Sequence, residues 1–302
     1  MRTASGTRGL TAMLGLCALA FPAAAWAGAA GDTTAMRGAL EMMCASERAF
    51  ALATSEIGVR NGFAMFFADD AISPPDSSSA RARLLARPAP DRPGATTLTW
   101  EPRAGEVARS LDLGWLTGPF FWVDARGAKH QGVYFSIWRR GADGIWRVAL
   151  DAGIDTPAGA PEFAVGAFRP AANSASGTDD APAANAATLR RTEAEFLARA
   201  ASDPGGAYAG TIASEVRLHR DGRIPLTERD SVVALAAAEP RLEAAHVVRA
   251  EVSAAGDLGW TFSVGVIGAS RDRRNAGATR VWRRGADGQW RIAVDVRSVA
   301  SD

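Results

Sequence analysis

From residue 35 onward, apolar positions first recur with a helical period and then alternate. Residues 35–54 put Leu40, Met43, Phe50 and Ala53 on one side of a helix, and 58–67 predict a second, shorter one. A third is predicted over 78–86. Its counterpart later in the chain is 227–238, with Thr227 at the N-cap position and Pro240 as a stop. Residues 96–101, 106–110, 114–123, 131–140 and 145–154 are rich in β-branched and aromatic residues with turn residues between them, and predict strands. Val133, Phe135 and Ile137 point to one face of their strand, and Tyr134, Ser136 and Trp138 to the other. Two apolar faces predict a sheet covered on both sides, by its own helices and by a second sheet. Helices followed by an antiparallel sheet give an α+β fold.

The pattern occurs twice. The run Ile137-Trp138-Arg139-Arg140-Gly141-Ala142-Asp143-Gly144 returns as Val281-Trp282-Arg283-Arg284-Gly285-Ala286-Asp287-Gly288. Asp112-Leu113-Gly114-Trp115 returns as Asp257-Leu258-Gly259-Trp260, and Glu47-Arg48-Ala49-Phe50 as Glu193-Ala194-Glu195-Phe196. Ordered matches at nearly constant offset mark a tandem duplication. Residues 158–187 are rich in Ala, Pro, Ser, Gly and Asn and read as a flexible linker. Domain one then covers 34–157 and domain two 188–300, and a pseudo-dimer within one chain is expected.

Residues 1–27 read as a signal peptide. Arg2 and Arg8 precede an apolar stretch over 10–21, and Ala25-Trp26-Ala27 offers a cleavage site before Gly28. The stretch is shorter than the roughly 20 apolar residues of a membrane span. Leu16 is too bulky to precede Cys17 in a lipoprotein signal. The expected location is periplasmic or secreted, with no membrane span after signal removal. Cleavage leaves Cys44 as the lone thiol, on a helical pattern beside Met42 and Met43, where it reads as a small buried hydrophobe. The formal charge of +1, from 34 basic and 33 acidic residues, excludes a broadly basic nucleic-acid binder.

Phe67-Ala68-Asp69-Asp70-Ala71, the Asp-Leu-Gly-Trp strand and the Trp-rich terminal hairpin together resemble the SnoaL-like and ketosteroid-isomerase-like (nuclear transport factor two-like) superfamily, in its exported, uncharacterised branch. The resemblance covers nearly all of 34–157 and, more loosely, 188–300. It implies two cone-shaped domains, each with a curved antiparallel sheet wrapped around helices and an apolar pocket at the open end. Some members of the superfamily are isomerases, dehydratases or cyclases, and many bind small ligands or have no known chemistry. In ketosteroid isomerases a carboxylate base lies five residues past the last Asp of the first motif. Here that position is Pro75, with Asp76 one residue late, and its counterpart in domain two is Arg220. The isomerase base is missing from both copies.

Residues kept in both copies read as scaffold. Asp151 and Asp295 end a strand that otherwise reads as buried, and each calls for an ion-pair partner or a place in a pocket. Asp70 and Glu215 fall at the end of the second helix. Residues that differ are where the copies can specialise, and domain one is the more aromatic. Asp70, Trp100, Phe120, Trp122 and Tyr134 are its candidate ligand-binding residues. The weak catalytic candidates are Asp151, Glu215, His219 and Asp295; a Glu215–His219 pair on one strand face could serve as acid and base, although an exposed charged strand is the plainer reading. The Arg139-Arg140 and Arg283-Arg284 pairs read as solvated strand ends or interface salt bridges. His130, His219 and His246 lack companions at metal-ligand spacing, and no nucleotide or phosphate loop is present, so neither a metal nor a cofactor is expected. The expected function is an exported module that binds a small apolar or aromatic molecule. The alternatives are a lyase- or isomerase-type enzyme using a pocket carboxylate, and a structural or assembly module.

Overall fold

The computed structural model describes residues 33–86, 97–124, 126–157, 169–170, 177–178, 180–268 and 272–300. The signal peptide expected over 1–27 and most of the linker expected over 158–187 lie outside these residues. The first half runs α1 (Thr33–Ile57), α2 (Val59–Phe66), β1 (Phe67–Ile72), α3 (Ala80–Leu85), β2 (Thr97–Trp100), β3 (Ala104–Val107), β4 (Leu113–Val123), β5 (Lys129–Arg140) and β6 (Trp146–Asp155). A two-residue strand, β7 (Arg169–Pro170), follows. The second half runs α4 (Pro182–Ser202), α5 (Pro204–Thr211), β8 (Ile212–His219), α6 (Arg229–Ala238), β9 (Glu243–Val252), β10 (Leu258–Ile267), β11 (Arg274–Arg284) and β12 (Trp290–Val299).

The class is α+β, with two curved, unclosed sheets of strand order β1-β6-β5-β4-β3-β7 and β8-β12-β11-β10-β9. Neither sheet is wholly antiparallel: β1 pairs β6, and β8 pairs β12, in parallel. The reason lies in the chain path. Both strands leave the second helix directly and run beside the last strand of their own sheet. The expected linker is shorter than its composition implies, because α4 already begins at Pro182 and β7 pairs with β3. Thr227 does not cap α6; Glu228 holds the N-cap position without a side-chain bond.

The long helices bury one stripe each. In α1 the stripe is Leu40, Met43, Glu47, Phe50 and Thr54; in α4 it is Asn185, Leu189, Glu193 and Phe196. A three- to four-residue spacing keeps these side chains on one face. Each stripe carries a carboxylate in its middle, and the sheets supply its partners. Gly58, at φ 83, makes the corner between α1 and α2, where a side chain would be strained. Cys44 is buried in α1, and burial pushes its thiol up to about 12.

A shared apolar layer joins the sheets. It contains Trp115, Phe135 and Ile137 of the first half and Trp260, Phe262 and Val281 of the second. Tyr134 and Trp138 face the helices instead. Around this layer the polar contacts are reciprocal. Arg283 donates from Nε and Nη2 to Glu106, both at 2.8 Å, while Trp115 Nε1 donates to Glu106 Oε2 at 3.2 Å. In mirror fashion Arg139 Nη1 reaches Glu251 Oε1 at 3.4 Å, and Trp260 Nε1 donates to Glu251 Oε2 at 3.2 Å. The backbone N–H of Arg109 donates to Asp257, and that of Ala254 to Asp112.

Candidate functional site

A cavity of about 440 Å³ opens in the first half, on the side of the sheet that faces the helices. Leu98 and Trp100 of β2, Phe120 and Trp122 of β4, and Phe63 of α2 form its apolar walls. Trp100 is held in place from behind: its indole N–H donates to Glu47 Oε1 at 2.7 Å, and its ring packs edge-on against Phe50 at 4.8 Å. Phe120 has room because Gly132 lies opposite it; a Cβ at Gly132 would fall 2.2 Å from the Ile154 carbonyl.

Three polar residues, Tyr134, Asp151 and Asp155, line this apolar space. Tyr134 is 5% exposed, and its hydroxyl has no hydrogen-bond partner among the described residues. Asp151 is partly buried and has no hydrogen-bond or ion-pair partner among the described residues. Burial, and then the nearby Glu47 charge, push the Asp151 carboxyl up to about 8. At neutral pH it is therefore mostly a neutral acid with an O–H to donate. Ser136 lies opposite Asp151 in the β5–β6 register, and Tyr134 is two residues along on the same face. The two unused groups are thus diagonal neighbours on one wall.

Glu47 sits behind that wall with no counter-ion among the described residues. It accepts from Ser136 Oγ at 2.6 Å, Trp138 Nε1 at 2.8 Å and Trp100 Nε1 at 2.7 Å. Burial raises its pKa, against the effect of these three donors. Glu47 was visible in the sequence only as a repeat marker. A carboxylate within an apolar helical stripe was the signal that could have identified it.

The second half treats the same positions differently. Asp295 is fully buried and saturated: Arg220 Nη1 donates at 2.6 Å, Arg280 Nε at 2.6 Å and the Tyr208 hydroxyl at 2.8 Å. Arg280 stands opposite Asp295, where the first half has Ser136. Its Nη1 also reaches Glu193 at 2.5 Å, and its guanidinium lies 4.6 Å from the centre of the Phe196 ring. Burial opposes ionisation of Asp295, but the Arg220 and Arg280 charges outweigh it and hold the carboxyl well below its usual range. Asp295 is a buried, ion-paired group with both carboxylate oxygens engaged. Neither it nor Asp151 ends its strand, since β6 runs on to Asp155 and β12 to Val299.

Of the ligand-binding candidates, Trp100, Phe120, Trp122 and Tyr134 all line the first-half cavity. Asp70 does not. It lies in β1 rather than at a helix end, and it pairs with Arg139 and with Arg249 of the other half. The Glu215–His219 pair does not form: both ring nitrogens of His219 lack hydrogen-bond partners among the described residues, while Glu215 is exposed. His219 is 1% exposed and packs near Phe135, and burial, with the Arg217 charge next, lowers its pKa to about 3. The exposed charged strand expected there is buried at its end, at His219 and Arg220. Asp76 is tied to Ser78 and Arg83 and is not a wall of the first-half cavity.

Among the described residues, no helix is long and apolar enough to cross a membrane, and no three His, Cys, Asp or Glu side chains cluster as metal ligands. No family model and no curated protein matches the sequence. Solved structures similar to the chain include a ketosteroid isomerase-like protein from Erwinia carotovora atroseptica, 16% identical over 39% of this chain and 98% of that one, with a TM-score of 0.35. An NTF2-like protein of unknown function from Pseudomonas putida is 16% identical over 41% of this chain and 92% of that one, with a TM-score of 0.35. A domain of unknown function with a cystatin-like fold from Nostoc punctiforme is 14% identical over 39% of this chain and 79% of that one, with a TM-score of 0.34. The structural neighbours of the chain are thus ketosteroid isomerase-like and NTF2-like proteins, each matching about two fifths of this chain.

Proposed function

We propose that the first half binds a small apolar or aromatic molecule carrying a hydrogen-bond-accepting oxygen, and that the second half serves as its fixed support in an intrachain pseudo-dimer. One observation carries this reading: Asp151, unpaired and raised to about 8, stands beside the unpartnered Tyr134 hydroxyl in an aromatic cavity. A buried polar group without a partner is costly, and a ligand oxygen that accepts from both donors removes the cost. The aromatic walls add area and select a flat body. The signal-like residues 1–27 support placement outside the cytoplasm. Recovery of a mature chain beginning at Gly28 from the periplasm or medium is the test of that placement.

Tryptophan fluorescence titrations with a panel of phenols, steroids and fatty acids test the binding reading, since Trp100 and Trp122 line the cavity. A saturable change that disappears in Tyr134→Phe with Asp151→Leu supports it. No response from any class contradicts it. The same Asp151 favours a second reading, because an acid titrating near the working pH suits proton transfer in a lyase or isomerase. Turnover of a bound ligand that is lost in Asp151→Asn while binding persists would favour that reading.

A further inference from the structure

A second cavity, of about 810 Å³, lies between the halves. Its apolar walls include Ile154 of the first half and Leu235, Ile267 and Val299 of the second. Four arginines line it, Arg220, Arg223, Arg274 and Arg297, against three acids, Asp155, Asp221 and Glu239. What matters is which of these charges are already used.

Glu239 is used twice, by Arg220 and by Arg297. Arg220 is saturated by Glu239 and Asp295. Asp221 accepts from the backbone N–H of Asp155. Asp155 is pushed towards its neutral form by burial and by the adjacent Asp221 charge. On the cationic side, the side chains of Arg223 and Arg274 have no hydrogen-bond or ion-pair partner among the described residues. Arg297 is 8% exposed and donates to the Pro240 carbonyl at 2.8 Å, but its Nε has no partner. Burial and the neighbouring Arg220 charge lower its pKa, so positive charge is crowded there. Two guanidinium groups with no partner among the described residues, and a third arginine with a buried, unused N–H, therefore line a cavity with apolar walls.

We propose that this cavity is an anion site, in which Arg223, Arg274 and the Nε of Arg297 hold a carboxylate or phosphate group whose apolar body lies along Ile154, Leu235 and Ile267. Guanidinium groups match either oxyanion by paired hydrogen bonds. The volume accommodates a molecule larger than the oxyanion alone. The site shares only Gly153 and Asp155 with the first-half cavity and does not depend on what that cavity binds.

Isothermal titration of the full chain with octanoate, inorganic phosphate and 1-octanol tests the assignment. Arg223 and Arg274 are exposed, so the double variant R223Q/R274Q is expected to fold. The expected result is saturable binding of octanoate or phosphate that weakens at least tenfold in the double variant. Tighter octanoate identifies a carboxylate with an apolar body, and tighter phosphate a phosphate group. Absence of binding by both anions, binding unchanged in R223Q/R274Q, or 1-octanol binding as tightly as octanoate would overturn the proposal.

Discussion

Asp151 and Asp295 stand at matching points of the last strand in each half, yet among the described residues only Asp295 has counter-ions. Asp295 is gripped by Arg220 and Arg280, whereas Asp151 faces Ser136 and an open cavity. Ser136 and Arg280 occupy the same register position, so the residue opposite the aspartate is a hydroxyl in one half and a guanidinium in the other.

Ser136→Arg should therefore convert the first half to the arrangement of the second. The new guanidinium would reach Glu47 and Asp151 as Arg280 reaches Glu193 and Asp295. Fluorescence titration should show ligand response lost, while circular dichroism shows the fold retained. Retained binding in a folded S136R protein would separate the cavity from the ligand site.

The two aspartates should differ in their effect on stability. Asp295→Ala leaves buried Arg280 and Arg220 short of a partner and should cost about 3–5 kcal/mol in urea unfolding at pH 7. Asp151→Asn should behave in the opposite sense. Because the folded-state pKa of Asp151 is raised from 3.8 to about 8, its carboxyl contributes stability below pH 4 that is lost as pH rises towards 8. The Asn variant should lack this slope and should be at least as stable as the parent at pH 9.

Glu106 and Arg283 tie the halves through a buried two-point contact, with Trp115 as a third member. Removing either partner strands the other. Glu106→Gln alone should destabilise by about 3 kcal/mol, and a double-mutant cycle with Arg283→Met should return a coupling above about 1 kcal/mol. Additive losses would mean that the contact contributes little beyond packing.

Much of this architecture was legible in the chain. Alternation along 133–138 placed Phe135 and Ile137 against one layer and Tyr134 and Trp138 against another, because a strand has a strict period of two. Trp100, Phe120, Trp122 and Tyr134 were found as an aromatic excess of one copy over the other. Asp70 was misplaced because its strand shows two buried, two exposed and two buried residues rather than alternation, and the β1–β6 register shifts within it. The parallel pairing of β1 with β6, and of β8 with β12, was not visible, since it depends on contacts distant in sequence. Glu47 and Arg280 were missed for a related reason. Only strand register and helix docking bring Arg280 opposite Asp295, and bring Glu47 behind Ser136. Arg220 stands where the absent base of the second copy was sought, and it neutralises Asp295 instead.

Ligand affinity should follow the protonation of Asp151. A neutral acid donates to a ligand oxygen, whereas the carboxylate repels it. For a neutral steroid ketone, which can only accept, fluorescence-derived affinity should be flat from pH 5 to 7 and should fall as pH rises through about 8. The profile should be flat throughout in Asp151→Asn. A fall centred near pH 4, or none, would remove Asp151 from recognition.

The most direct measurement is the carboxyl carbon-13 NMR titration of Asp151, assigned by its loss in Asp151→Asn. The expected midpoint is near pH 8, moving higher when a ligand accepts its proton in a hydrogen bond. A midpoint in the ordinary carboxylate range, about 4, would mean that Asp151 is ionised and solvated, and would contradict a protonated donor in the aromatic cavity.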